Sequence, residues 1–209
     1  MIALEEKILE DIKWRIDEIS IIKIVVLRTT LSEQQKQILR RYTIPAFYSL
    51  WEGYVKDALR TYIEEINSLQ LTTDQISSRI LAHFVDTKYL KNLSTDFNKR
   101  EPLISDLLQA LKKPVMLPIE LPTESNINLK VLNTILSRLN LQTLDNDRFK
   151  KRLDDFLNFR NRISHGDMKI PIDQTHIDKF SLLVIELMDE ILLKISEGYK
   201  LKTYLSSNS

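Results

Sequence analysis

The sequence predicts an all-α protein, a multi-helix bundle whose last two helices pack antiparallel and whose middle is broken by one proline-punctuated loop. Three observations carry this. Only 3 glycines and 6 prolines occur in 209 residues, too little turn chemistry for a sandwich or barrel. Apolar residues recur at helical rather than alternating spacing. Capping residues stand in front of several of these periodic runs. With 43% hydrophobic and 28% charged residues, the chain can bury a substantial core and fits one large domain better than two small ones. Residues 1–198 are assigned to that domain and 199–209 to a frayed tail.

Leu4, Ile8, Ile12, Ile16 and Ile19 place an amphipathic helix over 3–28. Ser32, with Gln35 three residues later, is a capping box that starts a second helix running to about Asn67. Pro45 is a candidate kink within it. Its second half carries Phe47, Tyr48, Trp51, Tyr54, Val55, Ala58, Leu59 and Tyr62, the stripe of a core-facing helix, with base stacking as the competing use. Thr73-Asp74 is read as the start of a third helix through Leu90, and Arg100-Glu101-Pro102 as the start of a fourth, with proline in the first turn. Pro114, Pro118 and Pro122 make 113–126 a long connection, extended in part. Asn128 caps a short helix to Leu139. A further helix starts at 145–147, buries Phe149, Leu153, Phe156 and Leu157, and ends at Gly166. The last begins at Asp173 and carries Ile177, Phe180, Leu183, Val184, Leu187, Met188, Ile191 and Leu192, and packs antiparallel to the helix before it.

Composition excludes several chemistries. No cysteine is present, so there is no disulfide framework, thiolate metal site or cysteine nucleophile. Acidic Glu5 and Glu6 stand where a secretory leader carries basic residues, and the apolar runs are far shorter than the roughly 20 residues that span a bilayer; a cytoplasmic protein with no membrane association is expected. His83 and His176 lack partners at metal-ligand spacing, no glycine-rich phosphate loop exists, and no metal or other cofactor is expected. A net charge of +1 gives no global attraction to nucleic acid. Between Arg148 and Lys169, however, seven Lys or Arg stand against three Asp. That local excess is either a solvated helix face or an anion-binding one.

The chemically pointed stretch is Asn158-Phe159-Arg160-Asn161-Arg162-Ile163-Ser164-His165-Gly166-Asp167. Arg160 and His165 lie about 140° apart on an ideal helix and share a site only if the helix unwinds near Gly166. Asn161, four residues before His165, lies on nearly the same face, where it can orient the imidazole or contact a phosphate. Arg160, Arg162 and His165 are equally the residue types that cap a helix C-terminus against its negative end. The residues alone leave both uses open.

Arg160-Asn161-x-x-x-His165 resembles the Arg-x(4–6)-His signature of the HEPN superfamily, in which a polar residue commonly follows the arginine. Tyr48-Ser49-Leu50-Trp51-Glu52-Gly53-Tyr54-Val55-Lys56 resembles the Tyr-x-x-Trp-Glu-Gly-x-x-Lys stretch of stand-alone bacterial HEPN proteins of the MAE type. The segment from Asn126 through Val131, Ile135 and Arg138 to Leu139 is similar to the one those proteins carry before the catalytic helix. The resemblance covers about 30–195. Ser164 stands where family members often have alanine, and the segment 113–126 has no assigned counterpart.

The resemblance implies a HEPN-like bundle that dimerises and a metal-independent endoribonuclease of the toxin or phage-defence type. Arg160, Asn161 and His165 would be catalytic, and Arg162, Lys151 and Arg152 would bind RNA. Glu52 and Lys56, an i,i+4 pair that is otherwise an ordinary surface contact, would support the site from behind. Two copies meeting in a homodimer would supply acid, base and cations, and cleavage would leave a 2′,3′-cyclic phosphate and a 5′-hydroxyl. An antitoxin or other defence-system protein is the expected restraining partner. The alternative is a non-catalytic HEPN-like module that binds RNA, a nucleotide or a protein.

Overall fold

The computed structural model describes residues 2–28, 30–91, 93–119, 126–167 and 169–206. Among them the order is α1 (Ile2–Val26), α2 (Glu33–Ser68), α3 (Ser78–Val85) continued by a π-helical turn (Asp86–Leu90), α4 (Phe97–Ala110), α5 (Leu129–Arg138), α6 (Asn146–Ser164) and α7 (Gln174–Lys200). No helix among the described residues is long and apolar enough to cross a membrane.

Helix α2 is the hub. Its capping box forms as the spacing predicts, with Ser32 Oγ accepting from the Gln35 N–H and Gln35 Oε1 accepting from the Ser32 N–H. Pro45 lies inside the helix. The aromatic stripe is core, for Phe47, Tyr48, Trp51, Tyr54 and Tyr62 are all essentially inaccessible to solvent. Tyr54 places its one polar atom by donating from Oη to the Met188 carbonyl of α7 at 2.8 Å, which a buried phenol requires.

One buried cation joins α1 to α2. Arg15 donates to Asp11 (3.0 Å), the Leu50 carbonyl (2.9 Å) and Asp57 (2.8 Å). A methyl group at Gly53 would come within 2.7 Å of its Nη1. The glycine of the Trp51-Glu52-Gly53 stretch therefore makes room for a guanidinium from another helix.

Helices α6 and α7 run antiparallel, as expected. Their contacts pair ascending numbers with descending ones: Arg148 with Glu190, Arg152 with Glu186, Asp155 with Lys179, and Phe159 with His176. Tyr48, Phe156 and Phe180 form a continuous ring contact through α2, α6 and α7.

Three boundaries differ from expectation. The third helix starts at Ser78, capped by Ser77, rather than at Thr73-Asp74. There Thr72 Oγ1 donates to Asp74 and the Thr72 N–H to Gln75 Oε1, side-chain bonds that compete with a helix start. The fourth begins at Phe97, capped by Asp96, so Pro102 sits within it rather than in its first turn. The connection 113–126 is anchored as far as it is described. The Val115 N–H donates to the Leu71 carbonyl at 2.8 Å, and the Asn67 amide both donates to and accepts from the backbone of Leu117. Residues 120–125 of that connection lie outside the described residues.

The expected frayed tail at 199–209 is the third correction, over residues 199–206. Helix α7 continues to Lys200, Tyr204 is buried, and the Ser77 N–H donates to the Tyr204 carbonyl at 2.8 Å. Leu205 bridges to Ile76. Tyr204 is a large apolar surface with a groove available to it, and its burial outweighs the entropy of ordering a few residues. Residues 207–209 lie outside the described residues.

Candidate active site at the end of helix α6

Helix α6 starts at the Asp145 cap, whose carboxylate accepts the Asp147 N–H, and buries Phe149, Leu153, Phe156 and Leu157 as their spacing requires. It stops because Gly166 takes φ +83°. The Gly166 N–H donates to Ile163 O and the Asp167 N–H to Arg162 O, both at 3.0 Å. This is the Schellman arrangement, which only a residue without a Cβ adopts cheaply. His165 is the last residue before the reversal, with φ −86° and ψ 9°. Its side chain is exposed and makes no hydrogen bond or ion pair among the described residues.

Arg160 is held from three sides. Its Nη1 donates to Asn126 Oδ1 at 2.8 Å and to Asn161 Oδ1 at 2.9 Å, and its guanidinium carbon lies 4.2 Å from the Tyr48 ring centroid. Cation–π stacking on a buried ring fixes a guanidinium that pairs with no carboxylate among the described residues. Tyr48 is fixed in turn, since its Oη accepts the Ile127 N–H at 3.0 Å. Burial raises the Tyr48 phenol pKa above its ordinary value; the Ile127 N–H and the Arg160 charge oppose this, and Glu52 adds to it. Glu52 also takes Lys56 Nζ at 2.6 Å. Glu52 and Lys56 form the i,i+4 pair, with Glu52 one helical turn from Tyr48.

Asn161 spends its carbonyl on Arg160. That carbonyl orients Arg160 and makes no hydrogen bond to the imidazole among the described residues. The reason is proximity: on this face the Arg160 fork is a stronger donor than any imidazole in reach. Arg160, Asn161, Asn126 and Tyr48 are brought together. No hydrogen bond joins His165 to them among the described residues.

The local positive excess is largely neutralised. Arg152 pairs with Glu186 at 2.6 Å, Lys150 with Asp154 at 2.7 Å, and Arg148 with Glu190. Arg162 donates from Nε (3.0 Å) and Nη2 (2.7 Å) to Asp167. That carboxyl is held below the usual carboxylate range, first by the Arg162 hydrogen bond and then by the Lys169 N–H. Of the three expected RNA-binding residues, only Lys151 is exposed and without an ion-pair partner among the described residues. Counting charges along α6 missed this because the acids of α7, Glu186 and Glu190, arrive from another helix. Asn126 and Tyr48 were visible as positions in the family-like stretches. Their contact with Arg160 had no local signal, being made across 34 and 112 residues of chain.

Among the described residues no three histidine, aspartate or glutamate side chains lie together as ligands for a metal ion. No curated protein and no solved structure matches the chain. A family model described as MAE_28990-like HEPN matches residues 4–204, which takes in the Tyr48–Lys56 stretch, the Asn126–Leu139 segment and the Arg160-to-His165 motif. With nearly its whole length matched and an all-helical architecture, the chain belongs to the MAE_28990-like HEPN family.

Proposed function

We propose that the chain is a metal-independent endoribonuclease of the toxin or phage-defence type, whose active site is completed by a homodimer. The observation that supports it is the asymmetry at the end of α6. Arg160 is held from three sides and pairs with no carboxylate among the described residues, while His165, five residues on, is exposed and makes no hydrogen bond among them.

RNA cleavage by transesterification needs a base for the 2′-hydroxyl proton, an acid for the departing 5′-oxygen, and fixed cations against the charge that builds on phosphorus. One chain has one suitable imidazole at this site. A two-fold axis beside the α6 ends duplicates His165, Arg160 and Asn161 in one cleft. One His165 takes the 2′-proton, the 2′-oxygen bonds to phosphorus, and the 5′-oxygen leaves with a proton from the other His165. The ends are a 2′,3′-cyclic phosphate and a 5′-hydroxyl. Arg160, preset by Tyr48 and Asn126, stabilises the phosphorane-like transition state without moving at the moment of reaction. Lys151 adds backbone contact, and a restraining antitoxin or defence-system partner accounts for how a cell tolerates such an enzyme.

The test is incubation of the full chain, shown to be a dimer in solution, with total RNA in EDTA. Wild type cuts and leaves cyclic phosphate ends, and His165→Ala cuts nothing while keeping its helicity and dimerisation. A dimer that leaves RNA intact, or equal cutting by the variant, overturns the proposal.

The competing reading is a non-catalytic HEPN-like module that binds RNA, a nucleotide or a protein. It draws on the ion pairs that occupy Arg152 and Arg162, which weaken the field a substrate would meet. Under it, His165→Gln retains full function.

A further inference from the structure

We propose that a pocket between the start of α2 and the α6–α7 connection is a phosphate subsite, and that it seats a phosphodiester of the RNA strand flanking the bond to be cut. The second half of this rests on the endoribonuclease reading above. The pocket, about 410 Å³, is lined by Gln37, Arg40 and Arg41 of α2 and by Lys169, Pro171 and Asp173 of the connection, among others. Its wall on that side is not loose, for Ile170 and Ile172 are buried in the core.

Three cations surround this space, and the one carboxylate among them is turned to another task. Asp173 Oδ1 accepts the His176 N–H at 3.0 Å and lies 2.6 Å from His176 Nδ1, capping α7. Arg40 Nε is shut off from solvent and has no hydrogen-bond partner among the described residues. A buried guanidinium donor without an acceptor is costly, and an anion seated beside the same guanidinium offsets that cost through its charge. The Lys169 side chain is exposed and forms no ion pair among the described residues. A guanidinium fork, an ammonium and the Gln37 amide around one space suit a compact anion with several acceptor oxygens, and a phosphate is such a group. An anion answers the charges of Arg40 and Lys169 better than a neutral ligand, and a metal cation would be repelled.

Position connects the pocket to the cleavage site. Lys169 is four residues beyond His165, a span of at most ~14 Å. The Arg41 charge contributes to holding the Asp167 carboxyl below its usual range, after the larger effects of Arg162 and the Lys169 N–H. Arg41 therefore lies beside the Arg162–Asp167 pair that closes α6. A strand whose scissile phosphate meets Arg160 and His165 has its neighbouring backbone within reach of this pocket.

The test uses the full-length His165→Ala protein as a cleavage-inert carrier, with and without Arg40→Gln/Lys169→Gln. Inorganic phosphate is titrated while backbone amides are followed by NMR, and a short fluorescent oligoribonucleotide is titrated at several salt concentrations. Phosphate shifts the amides of 37–41 and 169–173 in the carrier and leaves them unmoved in the substituted protein. RNA affinity falls about tenfold, and the salt dependence becomes shallower by about one charge per lost phosphate contact. If the double variant does not fold, Lys169→Gln alone, at an exposed side chain, makes the same comparison.

Amides unmoved by phosphate, or shifted only by an acidic peptide, overturn the subsite. Phosphate binding lost with RNA affinity unchanged overturns the RNA half, leaving a site for free phosphate or a nucleotide. Failure of the endoribonuclease reading looks different, since wild type would cut no RNA while the phosphate shifts remain.

Discussion

Arg160 and Tyr48 form a stacked pair across α6 and α2, with the guanidinium carbon 4.2 Å from the ring centroid and the phenol oxygen on the far side of the ring's edge holding the Ile127 N–H. One tyrosine thereby sets both the arginine and the backbone beside Asn126, the arginine's second anchor. Tyr48→Phe keeps the stack and leaves the Ile127 amide without an acceptor. A loss of about 1–2 kcal/mol in urea unfolding is expected, with RNA cleavage little changed. Tyr48→Leu removes the stack as well, and cleavage should fall a further fivefold or so for about 1 kcal/mol of cation–π interaction. Single-turnover rates on one RNA distinguish the two variants.

Gly53 should not tolerate a methyl group. In an exposed helix, Gly→Ala stabilises by about 1 kcal/mol. Here the new Cβ would lie 2.7 Å from Arg15 Nη1 and push the guanidinium off the Leu50 carbonyl and Asp57. The expected result is a net destabilisation of about 1–3 kcal/mol from a buried charge with damaged hydrogen bonds. Combining Gly53→Ala with Arg15→Met should recover part of it, which a thermal or urea double-mutant cycle reads directly.

Asn67 ties the mid-chain connection to α2 through both hydrogen bonds to Leu117. Asn67→Ala removes them and should cost about 2 kcal/mol. It should also make residues after Leu111 the first site of proteolytic nicking, since the segment then keeps the Val115–Leu71 bond, the burial of Val115 and Leu117 and a weak Gln70–Met116 contact among its described anchors. Limited proteolysis with mass spectrometry checks this; cleavage first at another loop would contradict it.

His83 should make stability pH-dependent. It is buried on α3, its Nε2 has no partner among the described residues, and its pKa is lowered from 6.5 by burial and by the Arg138 charge, against the opposing pull of Asp86. At a pH between the folded and unfolded values, the unfolded chain binds a proton that the folded chain refuses. Stability is therefore complete above about pH 6.5 and falls as the pH drops below it. Urea unfolding at pH 7.5 and 5.5 should show that decline in wild type, and His83→Asn should flatten it.

Much of the fold was legible because its signals are local. Ser32 with Gln35, Asn128, Asp145, Gly166 and Asp173 mark helix ends through bonds made within a few residues, and the stripe from Phe47 to Tyr62 shows its buried face by period alone. The boundaries that misled were those where another element intervened. Thr72 and Asp74 form a turn before the helix proper, and the residues after Gly198 are held by the backbone of 75–77.

By itself the sequence determined the helical class, the end of α6 at Gly166 and the presence of Arg160 and His165 near that end, since each depends on neighbours within one or two turns. The tertiary structure alone decided which cations carry free charge. Glu186 and Glu190 reach α6 from α7 and silence Arg152 and Arg148, while Tyr48 and Asn126 hold Arg160, which pairs with no carboxylate among the described residues. It likewise gathered Arg40, Arg41 and Lys169 around one pocket. Charge acts through space, over distances set by packing, and chain separation says little about it.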